Sequence, residues 1–424
     1  MSHLLQLLLL LALVITSAKL AGAAASRLGQ PAVFGEILAG LVLGPTALDV
    51  LGWRAFAPGA DGPSLMAIVQ DLADVGVVLL MFVAGLETDL AELRRVGHVA
   101  FWSAAGGVVL PMAGGIAIAS AFGLPVFWEG LFVGTILTAT SVSISAQTLM
   151  ELGVLKSREG STILGAAVID DVMGIVVLSV VVAFAQATGA VDVARIALVV
   201  VRIAIFFAVA WLAGRQFDRI AAWGDALGVS QGLLATVIVV AFLYAWAAEL
   251  VGGVAAITGS YLAGVLFTRT RFKQRIDAGV HPLTYSVLVP VFFIGIGLRA
   301  NARALGAQWA FTIALIAIAV LGKIVGCGAV ARVLGFSTRE SVRVGVGMIS
   351  RGEVGLIIAG YGLAHGLVGQ DIFSASVVVV LATTMMTPPL LRLAFARPRG
   401  AAVPVEESIA HASIPIPSPM RDEG

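Results

Sequence analysis

The chain has 424 residues, 59% hydrophobic and 12% charged, with a mean hydropathy of +1.02 and a formal net charge of +1. Soluble globular chains are about 45–50% apolar and about 25% charged, so a soluble enzyme or nucleic-acid binder is excluded, because its surface would be too apolar for water. The lone cysteine, Cys327, allows no intrachain disulfide, and the five histidines show no metal-ligand spacing.

A helix crosses the hydrocarbon core with about 20 apolar residues. Thirteen such runs are predicted: 4–25, 31–50, 65–87, 97–121, 127–150, 160–186, 190–213, 229–248, 250–268, 281–299, 308–331, 342–365 and 371–395. The separation of 229–248 from 250–268 is the weakest, and the second run is short. The first run resembles a signal sequence, but cleavage would reverse every later loop, so it is read as retained. With the N-terminus outside, eighteen Lys and Arg fall in or beside the inner loops. Four (Arg54, Arg195, Arg299 and Arg303) fall in the outer ones. That bias predicts an outside N-terminus and a cytoplasmic C-terminus. The final stretch is polar and carries prolines, and it reads as a disordered tail.

Thirteen spans divide into six, a linker and six. Span n and span n+7 then cross in opposite directions, which is the parity of an inverted repeat. The expected parts are a first six-helix repeat (1–186), a linker helix and loop (187–228), a second repeat (229–395) and a cytoplasmic tail (396–424). Span five carries TATSVSIS at 138–145, and span twelve carries ISRGEVG at 349–355. Both are places where a helix could unwind and turn backbone groups into a cavity. Gly- and Ser-mediated packing is the plainer alternative for each.

Charge inside the membrane needs a partner, a water path or a function. Asp170 and Asp171 stand near the middle of span six. Adjacent helical residues point about 100° apart, so one carboxylate can face a partner helix and the other a cavity. Paired carboxylates removed from water hold protons more readily, which suits proton exchange near neutral pH. Their oxygens also suit a hard monovalent cation. Lys323, at similar depth in span eleven, is the natural counter-charge. A permanent structural ion pair is the alternative. Arg351 and Glu353 would neutralise half-helix ends in an unwound segment, a role as structural as it is ion-binding. Glu36, Asp71, Asp74, Glu87 and Glu249 lie near span ends and read mostly as solvated or interfacial. Arg202 could snorkel.

FGEILAGLVLGP (34–45), LMFVAGLETDL (80–90), VIDDVMGIVVLSV (168–180), ITGSYLAGVLF (257–267) and SRGEVGLI (350–357) together resemble the bacterial sodium/proton exchangers of the monovalent cation:proton antiporter superfamily. The likeness spans about 30 to 395 and is closest to the electrogenic branch with paired aspartates. Only GSYLAG departs mildly from the usual pattern. The resemblance implies an all-α polytopic membrane protein of 13 transmembrane helices. Two crossed, discontinuous helices would sit in a core domain moving, elevator-like, against a dimerisation domain of a homodimer. Asp171 then matches the cation and proton carrier, and so the Na⁺ ligand, and Asp170 matches the partner of Lys323. Thr138, Thr140 and Ser141 match the unwound part of the first broken helix, and Arg351 and Glu353 the second. Electroneutral relatives typically carry Asn before the key Asp. Ligand-gated potassium-efflux relatives carry Gln there and add a nucleotide-binding domain; this sequence has Asp170 and no such domain.

The expected function is therefore secondary-active, electrogenic Na⁺(Li⁺)/H⁺ antiport in a bacterial inner membrane. No cofactor, enzymatic activity or nucleic-acid partner is expected. A K⁺/H⁺ antiporter of the same fold and a Na⁺-coupled organic anion symporter are the nearest alternatives, and a passive cation channel is a further one. An intramembrane aspartyl protease fits poorly, because its two acids face each other from different helices.

Overall fold

A computed structural model describes residues 3–56, 64–125, 129–186, 193–299, 308–364 and 366–396, and no strand occurs among them. The chain opens with α1 (His3–Arg27) and a short α2 (Ala32–Leu43). Next come α3 (Leu65–Glu87) and α4 (Leu90–Ala121). Ser64 caps α3 by accepting from the Ala67 amide, and Asp89 caps α4 by accepting from Ala91 and Glu92. The fifth predicted span is two helices, α5 (Leu131–Thr138) and α6 (Val142–Glu151). Then follow α7 (Arg158–Gln186), α8 (Val193–Gly214) and the surface helix α9 (Phe217–Ala226). α9 buries Phe217, Ala221 and Gly224 and exposes Asp218 and Asp225.

α10 (Gly232–Ala247) runs into a π-helical turn, Ala248–Gly252, before α11 (Ala256–Phe267). Gly253, at φ +69°, makes the left-handed turn that separates the two most weakly divided spans. α12 (Lys273–Leu283) continues through a second π turn, Thr284–Leu288, into α13 (Val289–Arg299). This helix thus starts earlier than the predicted residue 281. The last elements are α14 (Trp309–Val333), α15 (Thr338–Gly347), α16 (Glu353–Ala364) and α17 (Gln370–Phe395). A full capping box between Ser337 and Glu340 starts α15.

Each predicted interval holds helix. Among the described residues ten helical stretches are long and apolar enough to cross a membrane, and α2, α11 and most of α16 are shorter apolar helices. At 12 residues α2 is about 18 Å long, less than the hydrocarbon thickness, so the predicted run 31–50 is only partly helical. α1 and α8 leave many large apolar side chains exposed, among them Leu5, Leu9, Leu198, Ile205 and Leu212, as a lipid-facing surface requires.

Up to Ala394 the chain is one unit, and within it the helices pack in two groups. α4 packs on α7, α14 and α5, with α15 against α14 and α16 against α5. α2 packs on α1 and α13, and α3 on α11 and α13, with α10 against α11. Between lipid-soluble helices close approach of small residues replaces the hydrophobic effect as the driving term. A Cβ on Gly106 would stand 2.4 Å from the Gly326 carbonyl, and one on Gly264 would stand 2.1 Å from that of Phe82. Both helix pairs therefore touch backbone to backbone.

One minor expectation changes. Glu36 is buried, not solvated: Lys19, on the neighbouring α1, pairs with it at 3.7 Å, and the α1–α2 contact encloses its carboxylate. Arg202 is exposed, and its guanidinium donates to the Leu250 and Val251 carbonyls of the π turn at 2.8 and 3.0 Å.

Candidate functional site

The two interrupted helices meet at their breaks. α5 stops at Thr138 and α6 resumes at Val142, with Ala139 and Ser141 extended between them. α15 stops at Gly347 and α16 starts at Glu353. The Ser141 amide donates to the Ser350 carbonyl at 2.8 Å, and the Ser350 hydroxyl donates back to the Ser141 carbonyl at 2.9 Å. Ser145 adds a 2.6 Å bond to the Gly347 carbonyl. Gly352 permits the approach, since a Cβ there would lie 2.8 Å from the Ser141 side chain. Polar side chains in both breaks thus satisfy backbone that lipid could not.

Arg351 is fully buried at this crossing. It donates to the Leu137 carbonyl in the last turn of α5 at 2.8 Å and to the Ile349 carbonyl just past α15. The guanidinium therefore lies against the negative ends of two half-helices. Thr384 of α17 fixes the Arg351 carbonyl at 2.6 Å. Thr138 belongs to α5 itself, its hydroxyl donating back to Thr135, so the unwound stretch is narrower than expected and keeps Thr140 and Ser141. Thr140 is buried, and its hydroxyl oxygen has no partner among the described residues. The Glu353 side chain and the tail from residue 397 onward lie outside the described residues.

α7 packs against α5, α6 and α15 and carries the aspartate pair. Asp170 and Asp171 are buried, at 1% and 2% exposure. They diverge as adjacent helical residues must. Asp170 Oδ1 pairs with Lys323 Nζ of α14 at 2.9 Å, with both side chains fully buried. Its other oxygen, Oδ2, has no hydrogen-bond partner among the described residues. Asp171 turns toward α11, where the Thr258 hydroxyl donates to Oδ2 at 3.3 Å. Taking two charges out of water costs several kcal/mol per ion, about what their attraction returns, so this pair is poor evidence for stability alone. A half-used carboxylate beside a second carboxylate is an expensive arrangement that a cation or proton would complete.

Sequence reading missed Gly107 and Thr258. A Cβ on Gly107 would meet Cys327 Sγ at 2.4 Å and Lys323 Nζ at 3.4 Å, so α4 needs a glycine there for the ammonium to reach Asp170. The i, i+4 spacing of Lys323 and Cys327 hints at one shared face but does not identify the facing glycine. Thr258 lay inside a recognised stretch, but nothing along the chain connects it to a residue 87 positions away. A separate polar cavity of about 520 Å³ opens among Lys19, Glu36, Gln147, Glu151 and Arg392. There Glu151 accepts from the Ala32 amide at 2.6 Å and from Val33 at 3.3 Å, capping α2 from α6.

The family described as sodium/hydrogen exchanger, transmembrane, matches residues 12–393. The chain belongs to the sodium/hydrogen exchanger family. This exchanger is 42% identical over 386 residues to the Na(+)/H(+)-K(+) antiporter GerN of Bacillus cereus, covering 91% of this chain and 95% of that one. It is 32% identical to the Na(+)/H(+) antiporter of Enterococcus hirae, covering 90% and 96%. Its fold is similar to that of the sodium proton antiporter MjNhaP1 from Methanocaldococcus jannaschii, with a TM-score of 0.69 and 17% identity over 95% of this chain and all of that one.

Proposed function

We propose that this exchanger is a secondary-active antiporter that moves Na⁺ or Li⁺ against protons, electrogenically, by alternating access. The observation that carries the reading is the buried Asp170–Lys323 pair set beside Asp171 against two crossed helix breaks. Asp171 takes either a proton or the cation, so only a loaded carrier crosses. Asp170 turns its free oxygen to an arriving cation and loosens Lys323, which then gives up a second proton. Two protons against one monovalent cation leave a net charge movement. The names of the Bacillus and Enterococcus relatives support the cation and the proton, and the first of them also names K⁺, which keeps K⁺/H⁺ exchange as the second reading.

Thirteen crossings, two inverted six-helix repeats and a homodimer complete the proposal. The repeat is supported by the two packing groups: one draws on spans four to six and eleven to thirteen, the last through its apolar cluster with α5, α14 and α16, the other on spans one to three and eight to ten. The first group would move as the carrier and the second would serve as the dimerising frame. The lysine and arginine bias supports an outside N-terminus and a cytoplasmic C-terminus, in a bacterial inner membrane.

Purified protein in liposomes with an acid interior tests the reading. External Na⁺ or Li⁺ is expected to alkalinise the interior at a rate that changes when the membrane potential is clamped. Equal responses to K⁺ would favour the potassium reading, and silence toward all three cations would overturn antiport.

A further inference from the structure

The Thr258 hydroxyl stands 3.3 Å from Asp171 Oδ2, and both residues are almost completely buried. A hydroxyl donating to a carboxylate normally closes to about 2.5–2.7 Å, so this spacing is long for a hydrogen bond between such groups. It is a natural spacing for two oxygens on one small cation. Ca²⁺, nearly the same radius as Na⁺, takes oxygens at about 2.3–2.6 Å, and two such ligands at a right angle stand about 3.3–3.7 Å apart. A larger cation such as K⁺ would need them further apart.

Thr258 also occupies a particular place. It is the third residue of α11, in the helix group opposite the one that carries Asp171. It lines a cavity of about 220 Å³ that is walled by apolar side chains including Leu90, Val168 and Phe207, with Arg94 also on its lining. Val168 is one helical turn before Asp171 on α7, so this cavity lies on the aspartate's own face. Tyr261, the other hydroxyl on the lining, is already paired with Thr88 at 3.2 Å. The cavity thus reaches the Thr258 hydroxyl, the group that faces Asp171 Oδ2.

We propose that Thr258 supplies a neutral oxygen ligand to the transported cation, completing the Asp171 site from the opposite helix group. The inference rests on the antiport reading and extends its site to α11. With no cation bound, the hydroxyl donates to the carboxylate. With the cation bound, it rotates and turns a lone pair to the ion. A ligand shared between groups that separate on transport is one the carrier must leave behind, so the cation is held most fully in the state described here.

The test is Na⁺-driven proton movement in liposomes for wild type, Thr258→Val, Thr258→Ser and Asp171→Asn. Valine keeps the shape and removes the oxygen, whereas serine keeps the oxygen and removes the methyl group. A charge-directed hydroxyl contact is worth about tenfold in affinity. The expected result is a Na⁺ half-saturation concentration about tenfold higher in Thr258→Val, with a maximal rate within twofold, and near wild-type values in Thr258→Ser. A merely structural threonine gives the reverse order, with valine tolerated and serine impaired, and that result overturns the proposal. If Thr258→Val does not fold, Thr258→Ala against Thr258→Ser isolates the same oxygen, and equal half-saturation in that pair overturns it too. Wild type that moves no protons on Na⁺ addition would instead defeat the antiport reading itself.

Discussion

Lys323 and Asp170 set the energetic terms of the site. Each is fully buried and the pair is 2.9 Å apart, so removing one partner strands the other as an unpaired charge. Lys323→Ala is expected to cost about 3–5 kcal/mol of stability, read as a lowered thermal unfolding midpoint in detergent. Replacing both partners with apolar residues of similar size should recover much of that loss without recovering exchange. An unchanged midpoint in Lys323→Ala would mean that the ammonium is not held where the structure puts it. These residues were legible along the chain because charge is rare in its apolar runs, so each one stands out. Gly107 and Thr258 were not legible, since a glycine or threonine in a membrane helix is ordinary and its importance lies only in what faces it.

The helix breaks were legible for a similar reason. Thr/Ser clustering marked one and the charges of ISRGEVG marked the other, and both helices do break there. Their mutual bonding was not visible, because Ser141 and Ser350 are 209 residues apart. The resemblance also placed Thr138 in the break, whereas Thr138 is the last residue of α5 and its hydroxyl donates back to Thr135. Outside the membrane, α9 is tied to α12 by a bidentate pair, Arg275 Nη2 to Asp225 Oδ1 at 2.7 Å and Nη1 to Oδ2 at 2.9 Å. Those hydrogen bonds hold the Asp225 carboxyl below its ordinary value of 3.8. The folded protein therefore binds that proton more weakly than the unfolded chain does. The contribution is complete above about pH 4 and fades as the pH falls through the depressed value. Asp225→Asn should accordingly melt slightly below wild type at pH 7, and the gap should close toward pH 3. A gap that persists unchanged at pH 3 would assign the difference to something other than the ion pair.

Across the whole molecule, the composition and the thirteen apolar intervals anticipated a helical membrane protein. The resemblance implied a core and a dimerisation domain, but which helices pack in which group was not readable, because it depends on which helices touch rather than on where they begin. Glycine contacts such as Gly106 on Gly326 and Gly264 on Phe82 bind helices within each group. Between groups the described contacts are both apolar, as where Val172, Ile175 and Val176 of α7 pack on Ala248 and Val254, and polar: Thr258 to Asp171, and Glu151 to the first amides of α2. Under the proposed alternating access, the polar contacts are the ones that can be remade, since a hydrogen bond can be exchanged for water as a cavity opens, whereas backbone-to-backbone packing has no such substitute.

The central claim is that Asp171 carries the transported ions, and one comparison tests it most directly. Wild type and Asp171→Asn would be reconstituted at equal density into liposomes with an acid interior, after matching unfolding midpoints establish that both are folded. Addition of Na⁺ should alkalinise the wild-type vesicles and leave the Asp171→Asn vesicles at the leak rate of empty liposomes. Exchange by Asp171→Asn at the wild-type rate would contradict the account and move the carrier to another residue.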